Sequence, residues 1–167
     1  MNTSDIRSRT ERIIEAAVVD EHGPSALTRG PISPTITIEV TRPANWLHGV
    51  AAARRVGYAA EAIARDHARK ARGEGRSWAE VAQALGITTD AAQDPAIEAF
   101  RWVAPEPSQP YDTINTSWEC ASCGARVRDV GPFSGHPDDE QEGHAAGCAR
   151  HAADVAAWRE ASGWDED

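Results

Sequence analysis

The sequence predicts a mainly α chain in two parts: a helical N-terminal domain carrying one or two short strands and a pair of short helices joined by a tight turn, then a small cysteine-bearing module. Three observations predict this. Apolar residues recur at helical spacing through alanine-rich stretches of the first hundred residues, the run PEPSQP at 105–110 cannot continue a helix, and Cys120 and Cys123 stand in C-x2-C spacing ahead of His144, Cys148 and His151. The expected organisation is a helical domain over 1–104, a proline-rich linker over 105–117 and a metal-binding module over 118–167.

Residues 5–21 place Ile6, Ile13, Ile14, Ala17 and Val18 on one side of a first helix, with Ser4 or Asp5 as its cap. The run from His22 to Pro34 holds three prolines and two glycines and predicts a loop. Residues 35–41, TITIEVT, alternate apolar and polar like a half-buried strand. An isolated strand leaves its ladder groups unpaired, so this one must pair either with its copy in a second subunit, giving a homodimer, or with residues 26–29. From Pro43 to Arg72 the chain predicts a helix interrupted near Gly57, with Val50, Ala53, Val56, Ala60 and Ile63 as its buried stripe.

Formal charge is −9, and its distribution matters more than its sum: residues 1–104 hold 13 basic and 13 acidic groups, residues 105–167 hold 4 and 13. The one concentrated basic surface runs through Arg54, Arg55, Arg65, Arg69, Lys70, Arg72 and Arg76. The start lacks the apolar core of a signal peptide and no stretch is long enough to span a bilayer, which predicts a cytoplasmic chain with no membrane partner. In a reducing compartment three cysteines are better metal ligands than disulfide partners.

The segment GRSWAEVAQALGITTDAA holds the tight turn. Ser77 and Glu80 form a capping box, Trp78, Val81, Ala82 and Leu85 make the apolar face, and Gly86 supplies a left-handed residue. Ile87 packs the corner, Thr88 or Thr89 caps a second helix containing Ala91 and Ala92, and Pro95 closes that helix. Residues 96–105 then form a short helix with Ile97, Phe100 and Trp102 facing the core. SWAEVAQALGIT resembles the helix-turn-helix of bacterial DNA-binding proteins, sigma-factor-like and small regulator families among them. The resemblance implies a DNA-binding regulator in which Thr88, Thr89 and Gln93 face base edges while Arg69, Lys70, Arg72 and Arg76 hold phosphates of double-stranded DNA. It departs from the family in offering Asp90 and Asp94 where such a helix usually presents basic or amide side chains.

In the module, Cys120 and Cys123 can reach one ion from a knuckle relaxed by Gly124, residues 125–130 alternate like a returning strand through Val127 and Val130, and His144 and Cys148 lie four apart in an expected helix. Cys120, Cys123, His144 and Cys148 therefore form one ligand set for a structural zinc ion, with His151 in place of His144 as the alternative. The plan resembles a ββα zinc finger with a longer gap between ligand pairs. Trp118, Phe133, Val155 and Trp158 are expected to cover it. The acidic run Asp138, Asp139, Glu140 and Glu142 and the tail Asp165, Glu166 and Asp167 suit a protein partner rather than DNA. The motifs of nucleobase deaminases are absent, as are the Asn and Asp-His pair that would make His136 part of an HNH-type nuclease, so the chain is expected to be non-enzymatic: a DNA-binding regulator, or a protein-interaction adaptor.

Overall fold

The computed structural model describes residues 2–105, 109–110 and 112–163, so residues 106–108 of the PEPSQP run and the acidic tail at 165–167 lie outside the described residues. The chain is mainly α and divides into two compact units, Met1–Ile63 and Ala64–Asp167. That division does not coincide with the linker expected at 105–117, which falls inside the second unit. Among the described residues no helix is long and apolar enough to cross a membrane.

The first unit contains helix α1 (Thr3–His22), strands β1 (Leu27–Ser33) and β2 (Ile36–Pro43), and the first part of helix α2 (Trp46–Gly73). The strand expected at 35–41 pairs in its own chain, as an antiparallel hairpin with Leu27 opposite Pro43 and Gly30 opposite Val40. Its ladder thus needs no second subunit. Helix α2 starts at Trp46 rather than Pro43, because Pro43 ends the hairpin and the Asn45 side-chain oxygen accepts from the Leu47 amide at 2.9 Å. It passes Gly57 without a break, since one glycine costs only about 1 kcal/mol in a helix otherwise rich in alanine. The buried contact of α2 in this unit is Ala52, which joins Val18 and Ala26 in a small core. Val50, Ala53, Ala60 and Ile63, expected to be buried, are exposed. An alanine-rich helix is apolar nearly all round, so spacing alone does not single out the inward face.

In the second unit the end of α2 packs with α3 (Trp78–Leu85) and α4 (Pro95–Val103) around Trp78, Val81, Ala82, Ala99, Phe100 and Val103. The capping box forms as the sequence requires: the Ser77 hydroxyl accepts from the Glu80 amide and the Glu80 carboxylate accepts from the Ser77 amide at 2.7 Å. Gly86 ends α3 with φ 74°. Beyond it the expectation fails, because residues 86–94 form a turn and no helix begins at Thr88 or Thr89. Asp94 is the cap instead, accepting from the amides of Ala96 and Ile97, and Pro95 opens α4 where it was expected to close a helix. Ile114, inside the expected linker, packs on the same core.

Strands β3 (Thr116–Glu119), β4 (Arg126–Asp129) and β5 (Gln141–Glu142) form an antiparallel sheet in that order. A four-residue helix α5 (Pro137–Glu140) leads into β5, and α6 (Ala149–Ser162) closes the described chain. The two additional elements, α5 and β5, were not expected. Gly73 lets the sheet approach α2: a Cβ there would lie 2.3 Å from the Glu119 carbonyl oxygen, and the Gly73 carbonyl accepts from the Ala121 amide at 3.0 Å.

Candidate metal centre

Cysteine at 120 follows β3 directly, and the C-x2-C turn returns the chain at once into β4. The Gly124 amide donates to the Cys120 carbonyl at 2.7 Å and the Cys120 amide to the Ala125 carbonyl at 2.9 Å, which fixes the knuckle. The second pair of ligands was expected on a helix and is not there. His144 lies in the loop after β5, and Cys148 is the N-cap of α6. Gly143 and Gly147 adopt φ of 101° and 75°, a left-handed backbone that removes this stretch from any helix.

The four side chains nevertheless converge. One ligand atom from each of Cys120, Cys123, His144 and Cys148 lies within 4.8 Å of the other three, and these residues could hold a metal ion. Cys120 Sγ is 3.8 Å from Cys148 Sγ, and Cys123 Sγ is 3.8 Å from His144 Nδ1. The cysteines are free, the sulfur separation being far beyond a disulfide bond of about 2.0 Å.

The surroundings of each donor suit ligation. Burial pushes the Cys120 thiol up, against donation from the amides of Cys123 and Ser122. The His151 amide, in the first turn of α6, lowers Cys148 to about 7, as expected for a thiolate at a helix N-terminus. Burial, with the nearby His151 and Arg150, holds His144 below the usual histidine range. With Nδ1 turned to Cys123, Nε2 is 3.3 Å from the buried Gln141 side-chain oxygen, a contact that fixes the tautomer needed for Nδ1 to ligate. His151, the alternative ligand, stands outside this group: its Nε2 lies 2.6 Å from Asp138 Oδ1 and its ring stacks on His144 with centroids 4.6 Å apart.

Trp118 covers the centre as expected, 4% exposed, with the Arg150 guanidinium 4.4 Å from its ring centre. Its indole N–H leads to a residue the sequence reading missed. Asp129 is 1% exposed and accepts from five N–H groups: Arg72 Nε and Nη2, the indoles of Trp78 and Trp118, and the Gly131 amide, at 2.9–3.2 Å. The alternation of β4 carried the signal, since Asp129 is two residues from the buried Val127 and so shares its inward face.

The residues expected to bind DNA are dispersed or occupied. Arg72 is buried on Asp129, and Arg69 donates to the Thr116 hydroxyl at 3.1 Å and the Val103 carbonyl at 3.2 Å. Lys70 and Arg76 are exposed and pair with Asp66 and Glu80 one turn away. Thr88, Thr89 and Gln93 are exposed on the turn, where no helix aligns them for a groove. The chain matches no protein-family model, no curated protein and no solved structure.

Proposed function

We propose that this chain is a non-enzymatic protein-interaction adaptor whose second unit is held together by one structural zinc ion. Three thiolates and one imidazole are a closed donor set of the kind structural zinc takes, and a zinc tetrahedron with Zn–S of about 2.3 Å has S···S edges of about 3.8 Å. The 3.8 Å between Cys120 Sγ and Cys148 Sγ fits that edge, and the 3.8 Å from Cys123 Sγ to His144 Nδ1 is near the corresponding S···N edge of about 3.6 Å. With all four positions filled by protein, no site remains for a reacting water. His144→Ala is expected to weaken zinc roughly 100-fold, whereas His151→Ala leaves one ion per chain with affinity changed less than about 10-fold. Competition against a chromogenic chelator measures both; the reverse order would move the fourth ligand to His151.

The observation that carries the adaptor reading is the fate of Arg72. A phosphate-binding surface needs exposed basic side chains, and this arginine is turned inward, Arg69 is bound to Thr116 and Val103, and Lys70 and Arg76 are paired with acids. In place of a recognition helix the turn after α3 leaves a groove lined by Ile87, Ile97 and Trp102 with Asp94, Glu98 and Arg101 beside them, which suits a short apolar peptide segment with a polar flank. The regulator reading keeps one favouring observation, the well-formed α3 with its capping box and left-handed Gly86. Heparin and duplex DNA at low salt separate the two: the adaptor is expected to flow through. Retention that is lost on changing Lys70 and Arg76 to Ala restores the DNA-binding regulator.

A further inference from the structure

The first unit is short of core and rich in exposed apolar surface. Among the described residues no fully buried apolar side chain in its core is larger than valine: the cluster is Val18, Ala26 and Ala52, with Ile14, Ala17 and Leu27 partly buried against it. A unit of this size with so little burial does not offset the entropy of ordering its backbone. Ten of the eleven large hydrophobic side chains exposed among the described residues belong to it. The densest group lies on α2, where Trp46, Leu47, Val50 and Tyr58 are 66%, 73%, 65% and 54% exposed. Trp46, Val50 and Tyr58 fall on one i, i+4 row through Arg54, and this row is opposite Ala52, the residue by which α2 joins the core. Arg54 does not interrupt the row: its Nε donates to the Tyr58 hydroxyl at 2.8 Å and its guanidinium lies 5.2 Å from that ring.

We propose that the first unit is a homodimerisation module whose seam is this outer face of α2. Two observations choose a second copy as the occupant. The first is charge: residues 1–63 carry seven arginines and seven acidic residues, so the whole formal charge of −9 belongs to residues 64–167. Two copies meeting through the first unit bring no net charge to the seam itself, and a strongly charged partner gains no long-range attraction from this surface. The second is area. Trp46, Leu47, Val50 and Tyr58 alone leave roughly 500 Å² to water, more than half of the about 800 Å² per partner in an ordinary stable interface, and Ile32, Ile36 and Ile38 of the hairpin are exposed in the same unit. The need for cover arises whenever the chain folds, and a second copy is always present to meet it. An i, i+4 ridge packing on its own copy forms the self-complementary contact that two-fold symmetry requires. This interface is distinct from strand pairing and does not depend on the metal.

Sedimentation of the full zinc-loaded chain from roughly 1 to 100 μM is expected to show a dimer, and its melting temperature is expected to rise with protein concentration. Leu47→Asp with Val50→Asp, both at exposed positions, is expected to weaken self-association roughly 100-fold or more while the helical circular-dichroism signal persists. If that variant does not fold, the concentration dependence of the unaltered chain decides. A monomer with a concentration-independent melting temperature overturns the proposal and leaves the stripe to a different protein or to another part of the chain. A dimer that survives both substitutions overturns the seam.

Discussion

Removing the proposed zinc ion is expected to unfold most of the region from Thr116 to Ser162. The buried cluster there consists of Trp118, Cys120, Val127 and Cys148, so two of its four members are candidate ligands and only Trp118 and Val127 remain as ordinary core. Structural zinc contributes apparent free energies of about 10–16 kcal/mol to small modules at neutral pH, comparable to the whole stability of a domain. A strong chelator, or Cys123→Ser, should therefore abolish the near-ultraviolet signal of Trp118 and lower the first thermal transition by tens of degrees, or remove it. The effect should spread into the end of α2, because the Gly73 carbonyl accepts from Ala121 and from Arg150 at 3.2 Å. Amide exchange at residues 70–80 is the readout for that spread, and stoichiometric zinc should reverse it. Acid should act in the same direction, since protons compete with the metal for thiolates and imidazole. A chain that keeps its melting temperature after verified loss of zinc would show that the four residues are not structural ligands.

What was legible beforehand and what was not follow from the range of the signals involved. The ligand set and the knuckle are written in residue types at short spacing, and the capping box at Ser77 and Glu80 is a local rule obeyed locally. The helix assigned to His144 and Cys148 rested on alanine content, which Gly143 and Gly147 overrode through backbone conformation. The same competition misplaced the second helix after Gly86: Thr88, Thr89 and Asp94 are all capping residues, and the proline after Asp94 selects it as the one that caps. The buried side of α2 was read one face off because alanine gives periodicity little contrast. The basic helix face was read as a surface because arginines usually are, and nothing within twenty residues of Arg72 announces the carboxylate 57 positions away that buries it.

Asp129→Asn is expected to cost about 3–5 kcal/mol, the usual penalty for leaving one partner of a buried ion pair without the other, and to lower the melting temperature of the second unit by on the order of 15 °C. The carboxylate is acceptor-only and faces five N–H donors; an amide replaces one acceptor oxygen with a further donor and removes the charge that offsets Arg72. Burial already pushes the Arg72 guanidinium below its ordinary pKa, opposed chiefly by Asp129 and less by Asp154. Arg72→Lys should also be poorly tolerated, because a single ammonium cannot reproduce the two bonds from Nε and Nη2 to Oδ2. The informative variant is the pair Arg72→Met with Asp129→Asn. If the cost of the single change is an uncompensated buried charge, the double variant should recover a good part of it, leaving mainly the weakened bonds from Trp78 and Trp118. Urea denaturation of the two singles and the double gives the coupling directly. A strictly additive result would mean that Asp129 acts through the tryptophans alone. A large coupling would make the arginine part of what joins α2 and α3 to the sheet that leads into Cys120, which is the role its burial assigns and the reason it is not free to hold a phosphate.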